Sequence, residues 1–85
     1  MRKEFAALRA AVEARTVVVT RGAEYGTYEI ETSYPSADVK AGIKALGGRW
    51  NGSVWVVGSK EARDPVASGE LAVLAVITKR AYFER

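Results

Sequence analysis

The chain has 85 residues, a formal net charge of +3 and a pI near 9.5. A single domain of this length buries only about 60% of its unfolded surface and has a stability on the order of 5 kcal/mol, which leaves too few residues to wall a deep active site. Cysteine and histidine are both absent from the sequence, which excludes disulfides, thiol nucleophiles, histidine acid–base catalysis and the usual zinc sites, so neither a metal nor a cofactor is expected.

The first predicted element is a helix over residues 2–15, with Phe5, Leu8 and Val12 at i, i+3, i+7 and alanines filling the same side. Its charges, Glu4, Arg9 and Glu13, break up any apolar core of the signal-peptide kind. No stretch reaches the ~18 apolar residues that span a bilayer, so a cytoplasmic protein without membrane contact is expected. Residues 16–20 form a β-branched run and predict a strand. A turn at 22–26 leads into a second strand over 27–34, in which Tyr28, Ile30, Thr32 and Tyr34 alternate with Thr27, Glu29, Glu31 and Ser33. The two strands are expected to pair as an antiparallel hairpin. Glu29 and Glu31 invite comparison with the paired carboxylates of glycoside hydrolysis. Their spacing puts both on one strand face, whereas a catalytic pair flanks a cleft, so a solvated polar face is the better reading.

Ser36 is a good N-cap, Asp38 suits the first turn, and Gly47 suits a helix end, which together predict a helix over 37–46. Val39, Ile43 and Leu46 make its apolar stripe, and Lys40 and Lys44 lie one turn apart beside it. Asn51-Gly52 signals a hairpin with a two-residue loop. That register opposes Trp50 to Ser53 and Arg49 to Val54. It places Trp50, Ser53, Trp55 and Val57 on one face, with the two rings meeting diagonally, and Arg49, Val54 and Val56 on the other.

Residues 59–69 are polar; Ser59 suits the cap of a short helical turn limited by Pro65, and the rest reads as loop. Residues 71–77 are continuously apolar, and length and β-branching favour a buried central strand over the buried helix that the same run also fits. The chain closes on basic and aromatic residues, among them Lys79, Arg80 and Arg85. The predicted order is α-β-β-α-β-β, a single α+β domain over 1–85 with helices packed on an antiparallel or mixed sheet.

The tryptophan hairpin admits two readings. In one, both rings pack on the helix stripe as core. In the other, one ring stays accessible beside cations, the basic ingredient of single-strand binding, in which bases stack at about 1–3 kcal/mol each and cations hold phosphate. The mild positive charge permits nucleic-acid binding, although a solvated mixed surface yields the same number.

The run Ala37-Asp38-Val39-Lys40, Ile43-Lys44-Ala45-Leu46-Gly47-Gly48-Arg49-Trp50 and Trp55-Val56-Val57 resembles small modules patterned as a helix, K-x-L-G-A-R-W-D, a few residues, then W-Y-V. Such modules occur in plasmid and phage proteins, some with primase or helicase parts. The run is also similar to the HARP domain of annealing helicases, where a comparable helix precedes an aromatic hairpin. The likeness covers about a quarter of the 85 residues; Asn51 replaces the pattern's aspartate, and the loop is shorter. It implies a compact helix-plus-hairpin unit of DNA-processing proteins and carries over to Lys44, Arg49, Trp50 and Trp55.

The expectation from residues and resemblance together is a non-enzymatic nucleic-acid-associated module of a mobile element or a bacterial DNA-processing system. Lys40, Lys44 and Arg49 would contact phosphate, and Trp50 or Trp55 would stack. The alternative is a protein-interaction or homo-oligomerising module that uses the 71–77 strand as a pairing edge or the first helix as an interface. No nucleophile elbow and no phosphate-binding glycine loop is present; Gly47-Gly48 follows a helix rather than opening one.

Overall fold

The computed structural model describes residues 3–82. Its elements run α1 (Lys3–Glu13), β1 (Val17–Arg21), β2 (Tyr28–Thr32), α2 (Ala37–Ala45), β3 (Gly48–Trp50), β4 (Trp55–Val57), α3 (Ser59–Ala62) and α4 (Pro65–Tyr82). The strands form one sheet in the order β1-β2-β4-β3, with every neighbour antiparallel. The α+β class expected from sequence holds, and the sheet is antiparallel rather than mixed.

Alternation along the strands sends Val17, Val19, Ile30, Trp55 and Val57 to one face, where all are buried. Phe5, Leu8 and Val12 from α1, Val39 and Ile43 from α2, and Leu71 and Leu74 from α4 complete the same core. The three longer helices thus cover one face of the sheet. On the other face Val18, Glu29 and Val56 are half-buried and Thr20, Glu31 and Arg49 exposed.

Helix α2 forms as its sequence requires. The Ser36 hydroxyl accepts from the Val39 N–H at 3.2 Å, and the helix closes on Gly47 at φ +88°, a left-handed position that favours glycine. At Gly42 a Cβ would lie 2.6 Å from the Glu4 carbonyl oxygen, so α1 and α2 meet there backbone to backbone. Val39, Gly42 and Ile43 face inward, which turns Lys40 and Lys44 outward.

Expectations are corrected in three places. Residues 71–77 are helix, not strand. Pro65 opens α4 instead of limiting a turn, because the Asp64 carboxylate accepts from the Val66 and Ala67 N–H groups at 3.0 and 3.2 Å and proline suits the first helical position. The second correction is the hairpin register. Asn51 Oδ1 accepts from both Ser53 and Val54 N–H at 2.9 Å, so Asn51 closes the turn by its side chain, and Gly52-Ser53 become the loop with Gly52 at φ +102°. Trp50 consequently stands directly opposite Trp55, and Arg49 opposite Val56. The third is Tyr34. Strand β2 ends at Thr32, and Tyr34 turns out at φ +50°, fully exposed, instead of sharing the face of Tyr28, Ile30 and Thr32.

Candidate nucleic-acid interface

The directly opposed tryptophans have unequal surroundings. Trp55, on inner strand β4, is 9% exposed and belongs to the core, opposite Ile30 of β2. Trp50, on the sheet-end strand β3, is 54% exposed. Their rings meet edge to face, with centroids 5.6 Å apart and planes at 61°, the favoured geometry for an aromatic pair. The buried ring therefore fixes the exposed one.

Trp50 and Trp55 line a groove of about 450 Å³ with Lys40 and Lys44 of α2, Thr32 at the end of β2 and Pro35 of the β2–α2 loop. Four residues singled out in the sequence, Lys40, Lys44, Trp50 and Trp55, thus share one site. Its lining residues include two lysines and no acidic residue. Among the described residues, neither lysine has a carboxylate within 4.0 Å; the nearby Asp38 instead approaches Lys3 at 3.9 Å. Both charges remain available to an anion in the groove.

Arg49, the fifth singled-out residue, is exposed on the opposite face of the sheet, across from Val56. Alternation between adjacent strand positions separates it from the rings. Arg80 does not line the groove but a separate depression with Glu13, Ile77 and Ala81, and Arg85 falls outside the described residues. Glu29 sits in a depression with Glu24, Lys60 and Glu61, while Glu31 is exposed on the same sheet face.

Sequence reasoning missed Thr32 and Pro35 as groove residues, and Tyr34 as an exposed aromatic next to Pro35 in the chain. The signal was the Tyr34-Pro35 pair at a strand end, which marks a turn rather than a continuing strand.

The chain matches no protein-family model, no curated protein and no solved structure. Among the described residues no helix is long and apolar enough to cross a membrane, and no cluster of three or more acidic side chains is placed to hold a metal ion.

Proposed function

We propose that this chain is a small non-enzymatic module that binds single-stranded DNA in the groove between α2 and the β3–β4 hairpin. The observation that carries the reading is the half-exposed Trp50 ring, held by Trp55 beside Lys40 and Lys44 with no carboxylate in the lining. A base stacks on Trp50, and the two ammonium groups take flanking phosphates. The groove is open and lies at the end of the sheet, as a strand that must enter and leave requires. Arg49 is not part of this interface. The likeness to helix-plus-hairpin modules of plasmid and phage proteins agrees with this assignment.

The test is titration with a thymidine oligonucleotide, followed by tryptophan fluorescence. Binding quenches Trp50. Two phosphate contacts on a single strand give a log–log salt slope of about −1.4. Trp50→Ala weakens binding by about tenfold or more, the loss of one stacked base. Lys40→Gln with Lys44→Gln flattens the salt slope. Absence of any quenching at about 50 mM salt overturns the proposal.

A protein-interaction module is the second reading, favoured by the bare face of the sheet, where Val18, Val54 and Val56 are half-buried. Strand pairing through residues 71–77 is no longer a route to it, because those residues are helical.

A further inference from the structure

A second cluster of cations and aromatic rings lies at the other end of β2. Arg21 and Tyr28 pair across β1 and β2, and the Arg21 guanidinium sits 5.8 Å from the centroid of the Tyr28 ring. With Arg63, Tyr25, Ser59 and Ser68 they line a depression of about 320 Å³. Tyr28 and Thr32 are four strand residues apart, so this depression stands about 13 Å from the tryptophan groove.

The chemistry of the lining is specific. The cation–π contact with Tyr28 holds the Arg21 guanidinium over the ring without a carboxylate partner among the described residues, so its N–H donors can serve an anion. No carboxylate lines the depression. Among the described residues neither Arg21 nor Arg63 has one within 4.0 Å. Two arginines and two serines line one small concavity with no acidic residue among them, a set that suits an anion with several acceptor oxygens such as phosphate. Glu24, Glu29 and Glu61 line a neighbouring depression, and Glu24 also lines a further one with Arg21 and Tyr25, so carboxylates bound the arginine site on that side.

Tyr25 is almost wholly exposed, yet its loop is fixed. The Gly22 N–H donates to the Thr27 carbonyl at 2.9 Å, the Thr27 N–H to the Glu24 carbonyl at 3.2 Å, and the Thr27 hydroxyl to the same carbonyl at 2.6 Å. Gly26, at φ +81°, packs so closely on Ser59 that a Cβ there would lie 3.3 Å from the serine Cβ. The ring is displayed from a braced turn, with its faces open for stacking. The depression is at the small end of the roughly 300–1,000 Å³ range of small-molecule sites.

We propose that this depression binds a nucleoside monophosphate. The phosphate lies between Arg21 and Arg63, the Ser59 and Ser68 hydroxyls donate to its oxygens, and the base stacks on Tyr25. The site is independent of the tryptophan groove.

The test is a proton–nitrogen correlation spectrum of the backbone amides and arginine Nε–H groups, recorded with AMP, adenosine, inorganic phosphate or a thymidine oligonucleotide ending in 5′- and 3′-hydroxyls. AMP moves the Nε–H signals of Arg21 and Arg63 and the Gly26 amide, and saturates at about millimolar concentration or below. Inorganic phosphate moves them more weakly, and adenosine scarcely. Arg21→Gln or Arg63→Gln, both exposed positions, weakens AMP binding at least about tenfold, whereas Trp50→Ala leaves it unchanged. The proposal is overturned if AMP at about 10 mM leaves these signals in place, or if adenosine binds as well. It is also overturned if the hydroxyl-ended oligonucleotide moves them as strongly as AMP, since the depression would then be an extension of a phosphodiester surface.

Discussion

At the residue scale, Glu70 shows how a single partner makes a charge tolerable in a small core. It is 6% exposed, and its two oxygens accept from Arg9 Nε and Nη2 at 2.7 Å each. The arginine raises no pH liability. Its pKa is raised first by the hydrogen bond to Glu70 and then by the carboxylate charge, against the opposing effect of desolvation. A group with a raised folded pKa contributes its full stability below the unfolded value and loses it only as pH rises through the folded one. For an arginine that window lies far above neutrality, so its contribution is flat across the neutral range. Glu70→Gln leaves the guanidinium without a counter-charge in a half-buried position and costs about 2–3 kcal/mol, at the low end for a broken buried pair because Arg9 retains some solvent. Urea unfolding reads this directly; a loss below about 0.5 kcal/mol would show the pair to be ornamental. Trp50 is the functional counterpart: its exposure follows from its place on a terminal strand, and its orientation from the buried neighbour directly opposite.

At the element scale, α1, β1 and α2 were legible in the sequence because each carries a local signal: helical spacing, β-branching, or caps at both ends. Helix α4 was not, because its apolar run fits either period. Glu70, Leu74 and Thr78, one turn apart, all face inward, so the two polar residues that look like the limits of a strand belong to the buried face of a helix. The groove was legible in four of its residues, since the Trp–Trp face and the Lys40–Lys44 face both follow from periodicity. Thr32 and Pro35 were not, because they arrive through tertiary contact alone. Thr78 also closes the sheet: its hydroxyl accepts the outward-facing Val19 N–H of β1 at 3.1 Å, which denies that edge to another chain. Thr78→Val removes the acceptor, leaves the Val19 N–H buried and unpaired, and destabilises by about 1–3 kcal/mol, while Thr78→Ser retains most of the stability. Thermal unfolding of the two variants side by side distinguishes the hydrogen bond from mere packing.

At the scale of the whole molecule, one core with all three long helices on one side of the sheet leaves the opposite face to solvent. Its half-buried valines are interrupted by Glu29, Glu31 and Arg49, so the apolar patch falls short of what a stable interface of about 1,200 Å² or more needs. The chain is therefore expected to sediment as a 9.2 kDa monomer up to about millimolar concentration; a dimer in the micromolar range would move the weight to the protein-interaction reading. The tryptophan pair has one further consequence. Two indoles at 5.6 Å and 61° are coupled chromophores, one anchored in the core and one at the groove, so their transitions mix into a signed circular-dichroism couplet. Any ligand that tilts the outer ring changes the sign or amplitude of that couplet while the inner ring stays fixed. The protein thus carries its own unlabelled goniometer for the groove.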